Sequence, residues 1–345
     1  MVEFASDQGD TMYWKTRQAS CELPVLSKCA AMLALTLALT FTSGHGATQT
    51  TEIDTSKICT TDEKNPRIRL GVREDAPPFS YEVTNRRLDQ GSDPYSGYTV
   101  ELCIGFVRSA QNKSGLDDYC FVEVDPSSRL HALGGGYIDL LCGATTASVD
   151  IRAEYRTSLM TYLAVSGLSY MRKGPVADRS LGDQQMVRLG VREDTTSQTD
   201  LTSETLPGPL VAFLDSSGLK DYGALKRVDL ADHWEAPKML RDGAIDIYLA
   251  DRPIIEAVLA GGSEDIQVYN LPIALQPYSV IIAGRPFGRD ERAGVELQRN
   301  FDRFLIEEKF APDKVDAYFD HLRELLQGNI EPFFLEIARV QGVFP

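Results

Sequence analysis

Basic side chains are in short supply in this 345-residue chain: 35 lysines and arginines stand against 50 aspartates and glutamates, for a net charge of -15 and a pI of about 4.8. Phosphate backbones and anionic membrane surfaces repel such a chain, so nucleic acid and lipid headgroups are not expected as partners. The signatures of several enzyme classes are also missing. There is no GxSxG elbow, no HExxH pair and no Walker-type loop. The "GGG" at Gly134–Gly136 closes a short helix before a strand, which is the wrong context for a phosphate loop. No CxxC pair occurs among the six cysteines, so neither a metal site nor a cofactor is expected. The charge-free apolar run at residues 29–41 has thirteen residues, and a bilayer takes about 20.

What is present has the composition of a globular protein, 43% hydrophobic and 25% charged, at a length suited to two domains. The run at 29–41 follows Lys28 and precedes the small residues of "SGHGA". That pattern reads as a signal peptide over 1–46, cleaved near Gly46 or Ala47, with an upstream extension and Met12 as an alternative start. No lipobox precedes Cys21 or Cys29, so an exported periplasmic protein without a lipid anchor is expected. Cleavage leaves Cys59, Cys103, Cys120 and Cys142. An even count in an oxidising compartment reads as two disulfides, with three pairings open.

The heptapeptide "RLGVRED" occurs at Arg69–Asp75 and again at Arg188–Asp194, 119 positions apart. Each copy opens an alternation of strand and helix, which implies a parallel sheet with helices on its faces. Extended runs at 162–174 and 273–284 read as two crossings between lobes. The expected organisation is a discontinuous lobe 1 (60–171 plus 283–345) and an inserted lobe 2 (186–277), with a ligand cleft at the carboxyl edges of the two sheets. On this topology Cys103 and Cys142 share one edge of the first sheet, while Cys59 and Cys120 share the other. The expected bridges are therefore Cys103–Cys142 and Cys59–Cys120. The polar residues at strand ends are Arg73, Ser127, Ser128, Arg129, Thr145, Thr146 and Arg152 from lobe 1. Lobe 2 supplies Thr195, Thr196, Asp232, His233 and Asp251. Guanidinium forks favour carboxylates and an aspartate favours an ammonium, so the set describes a site for an acidic amino acid. Phe79 and Tyr81 are candidates either for the core or for an aromatic wall against the ligand. Asp251 is also placed to cap the helix after it, as Ser148 is for its own helix.

The segments "VREDAPPFSY", "SSRLHALGGGYIDLLCGATTASVDIR", "VREDTTSQ", "DHWEAPKMLRDGAIDIYLADR" and "QPYSVII" together resemble the amino-acid-binding proteins of ABC importers, and among these the glutamate/aspartate-binding proteins. The resemblance spans roughly residues 66–320. It implies an α/β fold of the periplasmic-binding-protein-like type II kind, with two doubly wound lobes joined by two extended crossings. It further implies a monomer that binds an amino acid, most specifically glutamate or aspartate, and delivers it to a membrane ABC permease without chemistry. By the same resemblance Arg73 and Arg129 approach the ligand side-chain carboxylate. Ala144 and Thr146 meet the α-amino and α-carboxylate groups, and Thr195, Thr196 and His233 hold the ligand from lobe 2. Asp251 takes the α-ammonium, while Arg192 has no matched role. Two departures stand out. An arginine of the family falls at Ile151, so Arg152 replaces it only if its helix starts one residue later. Asp194 stands where the family has glycine. The alternatives are a dehydratase acting on a prephenate-type substrate, with His233 and Asp75 as acid–base candidates, and a sensor or partner-binding protein with a modified pocket, its tail 321–345 docking on lobe 1 or on another protein.

Overall fold

A computed structural model describes residues 67–83, 93–171, 186–202, 207–216, 225–260, 264–311 and 313–325. The expected signal segment, Cys59 and most of the tail lie outside the described residues. Among the described residues no helix is long and apolar enough to cross a membrane.

Each heptapeptide opens a sheet. β1 (Ile68–Val72) lies between β5 (Tyr119–Glu123) and β6 (Leu140–Leu141), parallel to both. The sheet continues through β13 (Ile281–Ile282) and β7 (Arg156–Thr157), which run antiparallel to their neighbours. In the second sheet β9 (Val187–Arg192) lies between β10 (Leu225–Leu230) and β11 (Ile247–Asp251), again parallel to both. β8 (Tyr162–Met171) and β12 (Ile266–Tyr278) complete it as antiparallel strands. The order β5-β1-β6 is thus repeated as β10-β9-β11. Parallel neighbours require crossover connections, and the helices Arg129–Gly134 and Ala236–Arg241 lie in equivalent crossovers. The two-lobed α/β fold expected from the motifs is present.

The repeat extends to side chains. Arg69 grips Asp139 through its backbone N–H at 2.9 Å and through Nε and Nη2 at 3.0 and 2.7 Å. Arg188 grips Asp246 in the same three ways at 2.9, 3.0 and 2.9 Å. A Cβ on Gly71 would come within 2.5 Å of Ile138, and one on Gly190 within 2.6 Å of Ile245. The first and third letters of the heptapeptide therefore do the same work twice. The arginine ties the first strand to the "ID" of the third strand's entry, and the glycine admits the isoleucine of that dipeptide against the strand backbone.

The crossings differ from expectation. The run at 162–174 is not a bare connection, because β8 hydrogen-bonds between β11 and β12. The first passage between sheets therefore falls between Thr157 and Tyr162, and the second between Tyr278 and Ile281. At these passages Phe79 packs against Tyr162 and Tyr278 with ring centroids 5.2 and 4.9 Å apart. This aromatic knot is fully buried at the root of both passages. Cys103 and Cys142 are disulfide-bonded, as the topology predicts. Cys120 is also in a disulfide.

Candidate functional site

The carboxyl edges of the two sheets meet around one pocket. It is lined from lobe 1 by Arg73, Arg129, Ala144 and Thr146, and from the second sheet by Thr195, Thr196, Ser197, His233, Ala250, Asp251 and Ile254, with Tyr278 from the second passage. The space between these side chains is about 20 Å³, room for a water molecule and too little for an amino acid unless the walls part.

Arg73 follows β1 and is 2% exposed. Its backbone N–H donates to Ser80 Oγ at 2.8 Å, and that hydroxyl donates back to the Arg73 carbonyl at 3.0 Å. "PFSY" therefore fixes the turn that carries the arginine. Its Nε donates to Asp75 Oδ1 at 2.8 Å. The other oxygen of Asp75 accepts from Nε of Arg192 at 2.7 Å. Both Asp75 and Arg192 are buried. Burial alone would raise the Asp75 carboxyl, but the Arg73 and Arg192 guanidiniums hold it far below the usual carboxylate range. Such a group is a poor proton donor at neutral pH, which weakens it as the acid of an enzyme.

Arg129 opens the helix Arg129–Gly134. The residue is half-buried, yet Nε and Nη1 are sealed from solvent and have no hydrogen-bond partner among the described residues. Burial, reinforced by nearby Arg73, lowers its pKa to about 10. His233 begins a short turn that Asp232 caps by accepting the Trp234 N–H at 2.8 Å. Its Nδ1 is bonded to the Tyr248 hydroxyl, and its Nε2 is buried without a partner among the described residues. Burial drives its pKa down to about 3 against the pull of Asp75, so the ring is neutral at physiological pH. Asp251, at the end of β11, accepts from the Tyr278 hydroxyl. Thr146 Oγ1 donates to Gln276 Oε1 at 2.9 Å, and Thr195 Oγ1 to the Arg192 carbonyl at 2.7 Å. Three guanidinium groups against two carboxylates leave one positive charge beside a neutral histidine.

Arg73, Arg129, Ala144, Thr146, Thr195, Thr196, His233 and Asp251 are thus brought together as the sequence suggests. Arg152, Phe79, Thr145 and Ser128 are not on the pocket wall, and neither are Ser127, Asp232 and Tyr81. Arg152 is exposed, donates from Nε to the Ala147 carbonyl at 2.8 Å, and lines a separate surface hollow with Arg156 and Arg285. The physical reason is the helix start. Ser148 Oγ accepts the Ile151 N–H, which fixes the first helical residue at Val149 and turns Ile151 toward the apolar cluster around Ile138. Phe79 is core, as described above. Thr145 is fully buried. Ser128 turns back to accept the Asp125 N–H at 3.1 Å. Asp194 is exposed, with φ of 56°. This left-handed conformation explains a glycine position, and aspartate is among the residues that tolerate it.

Sequence reasoning missed Tyr278, Ser197 and the Asp75–Arg192 pair. The repeated heptapeptide was the available signal for that pair, since it carries both residues.

No family model matches the chain. The chain is 26% identical over 232 residues to the glutamate/aspartate import solute-binding protein of Escherichia coli (strain K12), covering 67% of each. It is 23% identical over 241 residues to the protein of the same description from Salmonella typhimurium, covering 70% of this chain and 69% of that one. Among solved structures, a substrate binding protein of an amino acid ABC transporter superposes with a TM-score of 0.53 at 16% identity, over 74% of this chain and 97% of that one. The fold is that of the type II periplasmic amino-acid-binding proteins.

Proposed function

We propose that this protein is a periplasmic solute-binding protein that captures an acidic amino acid, glutamate or aspartate, between its lobes and presents it to an ABC permease. The observation that carries the reading is Arg129, whose sealed Nε and Nη1 have no partner among the described residues, on a wall shared with Asp251. A buried cation without a counter-charge is costly. A ligand carboxylate on Arg129 would neutralise it, and an α-ammonium on Asp251 would complete a zwitterion. The site's single surplus positive charge matches the single negative charge of glutamate or aspartate. The sequence relatives are named for the same two ligands. Capture requires the lobes to part at the two passages and close again, with contacts from both lobes favouring the closed form.

Titration calorimetry of the purified protein against the amino acids tests this reading. Glutamate or aspartate should bind, and with greater affinity than glutamine or asparagine. Absence of heat with every amino acid at millimolar concentration would refute it.

A further inference from the structure

We infer that Asp75 and Arg192 form a latch between the lobes, a pair of positioning residues that sets Arg73 in the pocket wall and holds the cleft shut. The inference rests on the two-lobed capture mechanism proposed above and adds residues that do not line the pocket.

The geometry divides one carboxylate between two lobes. Asp75 lies on β2 (Asp75–Ala76), in the small sheet with β3 (Ser80–Glu82) and β4 (Tyr95–Ser96) that flanks the first lobe. Its Oδ1 takes the Arg73 guanidinium, with Nε at 2.8 Å and Nη2 at 2.5 Å. That contact is two residues long and needs no closure. Its Oδ2 takes Arg192 Nε at 2.7 Å, from the end of β9 in the second sheet. This second contact exists only while the sheet edges face each other. All three side chains are at most 7% exposed in the closed arrangement, where solvent screening is weak and charge-assisted bonds are strongest. Asp75 also interacts with Arg129, with Glu74 beside it and with the Tyr248 hydroxyl, and the neutral ring of His233 adds no competing charge. Arg192 is steadied in turn by Glu193, with an Nη1–Oε1 distance of 3.6 Å.

Two consequences separate a latch from a ligand contact. Removing it opens the cleft whether or not a ligand is present. The double substitution, which removes one charge of each sign and so keeps the net charge of the site, also weakens all ligands by the same factor, because neither residue touches them. Arg129, by contrast, discriminates by ligand charge.

The test uses the full chain as purified and three variants: Asp75→Asn, Arg192→Gln and the double substitution, with Arg192→Lys as the conservative control. Small-angle scattering without ligand should give a larger radius of gyration for each single variant, no further increase in the double, and recovery in Arg192→Lys. Stopped-flow release of glutamate should be about tenfold faster in each single variant and no faster in the double, with the glutamate-to-glutamine affinity ratio of the double unchanged. Arg192→Gln leaves Asp75 paired with Arg73 and is the variant safest for folding. Unchanged scattering, additive effects in the double, or a shifted affinity ratio in the double would each overturn the latch. If no amino acid binds any form, the proposed function fails while the scattering comparison still decides the latch.

Discussion

The substitution Arg129→Met separates what Arg129 does for the fold from what it does for a ligand. Methionine keeps the length of the apolar stem and removes the guanidinium. In the free protein the buried head costs stability. Its pKa falls from 12.5 to about 10, and at about 1.4 kcal/mol per unit this is a penalty of roughly 3 kcal/mol. Part of the side chain remains exposed, and solvent screening reduces the figure to about 2 kcal/mol. The variant should therefore melt higher than the wild type without ligand, by about 4–8 °C on the scale of about 2–4 °C per kcal/mol for domains of this size. With an acidic amino acid the order should invert. Truncating one partner of a buried charged pair costs about 2–5 kcal/mol of binding, or about 30-fold to several thousand-fold in affinity. Differential scanning fluorimetry with and without 10 mM glutamate (about 10 mM being ample for a micromolar site) reads both effects on one plate. A lower melting point without ligand would refute the desolvation argument, and an unchanged glutamate shift would refute the ligand role.

Three further outcomes follow from other parts of the structure. Asp302 accepts the Leu159 N–H at 2.7 Å, tying the helix Glu291–Phe304 to the first passage, and burial raises its carboxyl to about 6. A raised folded-state pKa means that stability is present at low pH and lost as pH rises from about 4 to about 6, so Asp302→Asn should stabilise by at most about 2 kcal/mol at pH 7.5 and by nothing at pH 4. Urea midpoints at the two pH values check this, and an equal gain at both would sink it. The Cys103–Cys142 bridge spans 39 residues, for which loop entropy gives about 4 kcal/mol; Cys103→Ala/Cys142→Ala should lower the denaturant midpoint accordingly, and no change would count against the bridge. The twin aspartates should not be equal. Asp139 is fully buried and also accepts the Phe287 N–H at 2.7 Å, while the Arg188–Asp246 pair is more exposed. Asp139→Ala should cost about 3–5 kcal/mol, and Asp246→Ala at least about 1 kcal/mol less. Equal losses in chemical denaturation would contradict the assignment.

Much of the fold was legible because local and global signals agree. Both heptapeptides have a strand pattern and each restarts a strand–helix alternation, so two sheets and a cleft between their carboxyl edges follow from pattern alone. Arg73, Arg129, Ala144, Thr146, Thr195, Thr196, His233 and Asp251 line the pocket for the same reason: strand ends converge wherever the sheets face each other. Arg152 could have been decided from the sequence. Ser148 is the available cap, and a helix starting one residue later would need Val149 to cap it, which no side chain without an oxygen can do. Phe79 could not have been decided so. Whether it faces a ligand or the core depends on where Tyr162 and Tyr278 pass, which is set by β8 joining the second sheet rather than by anything near residue 79.

The heptapeptide itself shows why repetition in sequence does not mean repetition in role. Its first and third letters face into their own sheets. They meet the same partners in both lobes, Asp139 with Ile138 and Asp246 with Ile245. A sheet interior imposes one solution, and both copies adopt it. The fifth and seventh letters emerge at the cleft, where the partners belong to the opposite lobe. There the two arginines, Arg73 and Arg192, converge on a single aspartate, the seventh letter of the first copy. A second inward carboxylate would leave the pocket without its positive charge. The seventh letter of the second copy, Asp194, instead occupies a left-handed turn and faces solvent. Two identical heptapeptides therefore yield one ion triad rather than two, because the edges on which they end face each other.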